Sequence, residues 1–177
     1  MTKSKTINLL FWGILTFYLL LMCGILFFLF RPEIGVGYTS VNLVPFKSIM
    51  EGINIHDGIR YRMVDEQVWA NIVLFIPAGI YLMVLRKKNA IVPAFFMIFL
   101  MSLGTELIQY VCRIGVSDVD DIILNCLGGL LGILAYRLLE KICKTKEKAK
   151  RIVTYLSVLV GLPVLLYICL LFVMWMI

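Results

Sequence analysis

The sequence predicts an all-α protein, a polytopic transmembrane helical bundle of about five spans with a long outer loop after the first. Three observations predict it. Hydrophobic residues make up 62% of the 177 positions and charged ones only 16%, and mean hydropathy is +0.97, so a water-soluble globule would have too little polar surface. Several apolar runs reach the ~18–20 residues a helix needs to cross hydrocarbon. The charged stretches that separate them are short, as in one compact membrane domain.

The first span runs from Ile7 to Phe30 behind Lys3 and Lys5. It is longer than a signal-peptide core and lacks a small-x-small cleavage site, so it is expected to stay as an anchor. Further spans are expected from about Val68 to Leu85, Ile91 to Val111, Ile122 to Leu139 and Ile152 to Ile177. The chain divides accordingly into an N-terminal anchor span (1–35), a membrane domain (36–140), and a basic linker with a C-terminal span (141–177).

The net charge of +6 does not indicate nucleic acid, because the basic residues cluster beside apolar spans rather than on a soluble face. They act as topology signals. With the N-terminus inside, the cytoplasmic side holds twelve of the 17 Lys and Arg, including Arg86 to Lys88 and Lys141 to Arg151, against five outside (Arg31, Lys47, Arg60, Arg62 and Arg113). The expected topology is therefore N-terminus inside and C-terminus outside. The run from Lys141 to Arg151 also suits anionic lipid on the inner leaflet. The five cysteines show no CxxC spacing and read as small apolar fillers.

The loop from Arg31 to about Gln67 is broken by Pro32, Gly35 and Gly37 and is expected to dip back onto the membrane. Within it, Pro45 to Ile55 has the pattern of a short interfacial helix, with Phe46, Ile49, Met50 and Ile53 on one side. The single histidine, His56, and Asp57 follow in a solvated turn.

The costly residues are the polar ones inside the spans, since an acidic group near a helix centre costs roughly 2.5–3.5 kcal/mol on insertion scales. Glu106, Gln109 and Arg113 share one helical face at i, i+3 and i+7, placing Gln109 to bridge an acid and a base. The same pattern also serves an internal ion pair that merely locks packing. In the next segment Ser117 is the expected N-cap and Asp120, three residues on, the expected capping-box partner. Asp118, Asp121, Asn125, Gly128, Gly129 and Gly132 form a stripe that should face another helix. The span from Val68 repeats the scheme with Asn71, Phe75, Ala78 and Gly79 on one face and Pro77 in its interior.

Asn71, Glu106, Gln109, Arg113, Asp118, Asp121 and Asn125, with Asn42 from the loop, are thus expected at one depth, the outer leaflet. The bilayer middle carries almost no ionisable group, which argues against a conduction path.

These residues resemble the VanZ-like family of small bacterial membrane proteins. The resemblance rests on Asn42-Leu43-Val44-Pro45-Phe46-Lys47-Ser48-Ile49, on Asn71 with Phe75-Ile76-Pro77-Ala78-Gly79, on Glu106-Leu107-Ile108-Gln109, and on Arg113 with Asp118 to Asn125 and Gly128-Gly129. It covers roughly Val36 to Arg137; the final span and its linker lie outside it. The family's Glu-x-x-Gln, Arg and paired aspartates fall on Glu106, Gln109, Arg113, Asp120 and Asp121. The resemblance implies a cell-envelope protein linked, through the family's namesake, to tolerance of teicoplanin. It does not imply a known reaction.

The expected function is binding of a lipid-linked or amphiphilic ligand, such as a wall precursor or lipoglycopeptide, by Asn42, Asn71, Glu106, Gln109, Arg113, Asp118, Asp120, Asp121 and Asn125. Arg113 would pair with a phosphate or carboxylate, and the acids and amides with sugar or peptide groups. The reading needs no cofactor or metal; its partners are the bilayer and that ligand, not nucleic acid. One rival is an enzyme whose carboxylates hold Mg²⁺ or Mn²⁺ against a lipid phosphate. Another is a structural membrane subunit whose polar residues only satisfy one another.

Overall fold

In the computed structural model, residues 3–29, 41–54, 58–86, 91–113 and 117–176 are described. Arg31 to Gly37, His56 and Asp57 lie outside the described residues. The helices are α1 (Lys3–Gly24), continued by a π-helical turn (Ile25–Leu29), α2 (Lys47–Asn54), α3 (Gly58–Leu85), α4 (Ile91–Val111), α5 (Val119–Cys143) and α6 (Lys146–Met176). Five of them are long and apolar enough to cross a membrane. The chain is a membrane protein of the all-α class.

Helices α3 to α6 are each at least as long as the spans expected for them. Pro77 does not interrupt α3, which continues to Leu85. α5 begins at Val119 because the Asp118 carboxylate accepts the Asp120 N–H at 2.9 Å, the geometry of an N-cap. Ser117, expected in that role, instead pairs with Val41 in a two-residue parallel bridge of β1 (Val41–Asn42) to β2 (Ser117–Asp118).

The chain forms two compact units, residues 24–138 and residues 1–23 with 139–177. In the second, α1 and α6 pack together: Lys150 Nζ donates to Asn8 Oδ1 at 2.8 Å and lies 4.6 Å from the centre of the Phe11 ring. Gly161 opposes Ile14, and the Thr154 hydroxyl returns to the Lys150 carbonyl at 2.8 Å.

In the larger unit α3 and α5 run in the same direction, backbone to backbone. A methyl group on Gly128 would run into the Ile72 carbonyl, one on Gly132 into the Ile76 carbonyl, and one on Gly79 into the Gly129 carbonyl. Gly129 also receives Ile98 of α4, whose Cγ2 would lie 2.6 Å from an added Cβ. Small residues are what permit such contact in lipid, where apolar side chains gain little by leaving the hydrocarbon. Phe75, Ala78, Ile98, Ile133 and Tyr136 are buried around it.

Gly132→Val and Gly128→Val are expected to separate α3 from α5 and to remove most of the monodisperse protein seen by size-exclusion chromatography after detergent extraction. Gly104→Ala, at a site with no atom within 4 Å of an added Cβ, should leave the elution profile unchanged.

Candidate functional site

Two polar clusters form where α4 ends and α5 begins, and they divide the acidic residues between them. The first fastens the segment from Val41 to Ile49. The Asn42 side chain accepts the Val44 N–H at 3.2 Å and donates to Ser48 Oγ at 2.9 Å and Asp118 Oδ1 at 3.1 Å. The Ser48 hydroxyl donates to the other oxygen of Asp118. Asp120, only 1% exposed, accepts the backbone N–H groups of Phe46, Ser48 and Ile49, the last two at 3.0 and 3.3 Å.

Asp120 therefore does not serve as the capping partner of its own helix. It satisfies the first N–H groups of α2, some seventy residues earlier in the chain, where a negative charge also suits the helix dipole. Phe46 enters α2 with φ 64°, and its carbonyl accepts the Met50 N–H at 2.9 Å. Leu43, Val44, Phe46 and Met50 are left exposed, apolar side chains suited to a membrane interface.

The second cluster surrounds a cavity of about 70 Å³ lined by Ile25, Leu26, Ala70, Asn71, Leu74, Glu106, Gln109, Asp121 and Asn125. Glu106 and Asn125 are buried, at 4% and 1% exposure, while Asn71, Gln109 and Asp121 are half-buried. Asn71 Nδ2 donates to Asp121 Oδ1 at 2.6 Å. Asn125 Nδ2 donates to the buried Ser102 hydroxyl oxygen at 3.0 Å, whereas Asn125 Oδ1 has no partner among the described residues. Glu106 Oε2 accepts the Asp118 N–H at 3.0 Å and so joins the two clusters.

Asn71, Glu106, Gln109, Asp121 and Asn125 are thus brought together. Asn42, Asp118 and Asp120 belong to the fastening cluster and do not line the cavity. Gln109 does not bridge Glu106 to Arg113, because its amide nitrogen donates to the Leu26 carbonyl at 3.0 Å, on the π-helical turn. Arg113 is exposed, outside the cavity lining, and holds φ 53° as α4 ends, its N–H returning to the Tyr110 carbonyl at 3.2 Å.

Sequence reasoning missed Ser48, Ser102 and the apolar wall from Ile25 and Leu26. Ser102 lies one turn before Glu106 on the same face of an apolar span, a signal that periodicity exposes. No helical period marks Ser48, which stands in the Asn42 to Ile49 block but has its acidic partner, Asp118, in a distant segment. Among the described residues no group of three or more His, Cys, Asp or Glu is placed to hold a metal ion, and all five cysteines are unpaired.

Comparison with known proteins places these blocks in context. The family model VanZ/LLP1 matches residues 15–140, reaching into the first span beyond the motif blocks. Protein VanZ of Enterococcus faecium is 30% identical over 159 residues, which covers 88% of this chain and 90% of the relative. No solved structure matches.

Asp120→Ala is expected to release α2 and cost at least ~2 kcal/mol of stability, since it strands buried N–H groups as well as removing a cap. Hydrogen exchange should show lost protection at Phe46, Ser48 and Ile49. Asp121→Asn should leave those three amides protected.

Proposed function

The chain belongs to the VanZ/LLP1 family, and on that premise we propose that it binds the head of a lipid-linked or amphiphilic envelope ligand in the cavity between α3, α4 and α5. The observation that carries this reading is the unpartnered Asn125 Oδ1 beside Glu106 and Asp121. A buried acceptor left without a donor costs about 1–3 kcal/mol, and a ligand donor removes that cost.

The size of the cavity limits what enters. One water needs roughly 10–15 Å³, so about 70 Å³ takes a small polar group and excludes a whole lipid or glycopeptide. The bulk of the ligand then stays in the bilayer or at its surface. Lys and Arg counts put the N-terminus inside and the C-terminus outside, which sets this end of the spans at the outer leaflet of a bacterial cytoplasmic membrane. There the protein meets wall precursors and lipoglycopeptides, and it contributes to tolerance of teicoplanin-like drugs.

Arg113 enters this reading as a surface cation one turn beyond Gln109, where a ligand phosphate would meet it. Its backbone conformation supplies a clean variant: Arg113→Gly removes the guanidinium at a φ that glycine adopts without strain.

Expressed in a susceptible bacterium, the wild type is expected to raise the inhibitory concentration of teicoplanin. Asp121→Asn and Glu106→Gln should abolish the gain with membrane levels of the protein unchanged on immunoblots, and Arg113→Gly should reduce it. Full tolerance in both carboxylate variants would sink the reading, and loss of the protein itself would point to a structural role.

A further inference from the structure

The two carboxylates of the cavity raise the question of what kind of head group they accept. Of the side chains that line it, Asn71, Gln109 and Asn125 each spend one of their two amide N–H donors on a protein acceptor, at 2.6, 3.0 and 3.0 Å. One N–H of each amide is left over, but the acidic groups and the one cavity atom without any partner among the described residues are acceptors: the Glu106 and Asp121 carboxylates, each with lone pairs beyond those used, and the whole of Asn125 Oδ1. Among the described residues no Lys, Arg or His lines the cavity. Asp121 and Glu106 line the same small cavity, so ionising both without a cation is unfavourable.

From this chemistry, and resting on the reading that the cavity takes an amphiphile's head, we propose that the group it takes is a primary ammonium carried on an apolar chain. An ammonium brings three N–H donors to three acceptor groups, Glu106, Asp121 and Asn125. Its single charge offsets one of the two carboxylates, its volume suits the space, and Leu26 and Leu74 flank it as an apolar wall for the attached methylenes. A phosphate or carboxylate guest would face two acids with no cation among the described lining residues. A quaternary ammonium has no N–H to give. The source is either the head of an aminophospholipid or the amine of a phosphate-free amphiphile.

The test uses the full-length protein purified in maltoside micelles, with binding read by native mass spectrometry and by the ligand-dependent shift in melting temperature. The probes are phosphatidylethanolamine, phosphatidylcholine and phosphatidylglycerol of matched chains, with dodecylamine and dodecanol. Dodecylamine is expected to bind at least about tenfold more tightly than dodecanol, and phosphatidylethanolamine more tightly than phosphatidylcholine by a similar factor. Glu106→Gln and Asp121→Asn should each remove about tenfold or more. Binding of dodecylamine with weak phosphatidylethanolamine assigns the amine to a phosphate-free amphiphile and supports the proposal.

Equal binding of the ethanolamine and choline lipids, or preference for phosphatidylglycerol, overturns the ammonium assignment while the amphiphile reading stands. Stabilisation by Mg²⁺ or Ca²⁺ through both carboxylates, with displacement of dodecylamine, overturns it in favour of a metal site. A monodisperse wild type that binds no probe overturns both readings. Where a variant fails to fold, the lipid comparison on wild-type protein still decides.

Discussion

The close approach of α3 and α5 is the constraint on which the rest depends. Gly79, Gly128, Gly129 and Gly132 let one backbone lie directly on the other, and in lipid that contact replaces the hydrophobic drive that would hold a soluble core. Once the two helices are fixed against each other, their polar ends follow. Asn71 and Asp121 meet at 2.6 Å because the helices that carry them cannot slide. An interhelical hydrogen bond of this kind contributes on the order of 1 kcal/mol, too little to set the packing but enough to set the orientation of the carboxylate.

Adjacent aspartates take different tasks because a helix turns ~100° per residue. Asp120 faces the segment that leads into α2 and Asp121 faces the cavity. Asp118, outside the helix, caps it and holds Asn42 and Ser48 at once. The acidic run is therefore a structural clamp with one residue, Asp121, left facing the cavity. The loop it fastens carries exposed Leu43, Val44, Phe46 and Met50, which would otherwise have no reason to stay at a fixed depth.

Hydropathy and helical periodicity made the spans legible, and they also made the Asn125, Gly128, Gly129 and Gly132 stripe legible, since both are repeating local signals. Asn71 with Phe75, Ala78 and Gly79 followed from the same rule. The role of Asp120 was hidden because a capping box is a local explanation that a carboxylate three residues after a serine always invites. Its true donors, Phe46, Ser48 and Ile49, lie in a segment whose placement no periodicity encodes. Gln109 was misdirected for a related reason. A helical wheel extends α4 to Arg113, but the helix ends at Val111 and Arg113 turns away with positive φ, leaving Gln109 to the Leu26 carbonyl.

Glu106 occupies an awkward position in any separation of structure from binding. One of its oxygens holds the Asp118 N–H, and Asp118 in turn holds Asn42 and Ser48, so deleting the side chain loosens the clamp and the cavity together. Gln at this position keeps an acceptor for that N–H while removing the charge, which is why isosteric replacement is more informative than truncation. Asp121 and Asn125 have no such bond to the clamp; their partners, Asn71 and Ser102, lie on neighbouring spans. Agreement between Glu106→Gln and Asp121→Asn therefore isolates the charge of the cavity from the fastening of the loop, and disagreement between them would assign the difference to the Asp118 link.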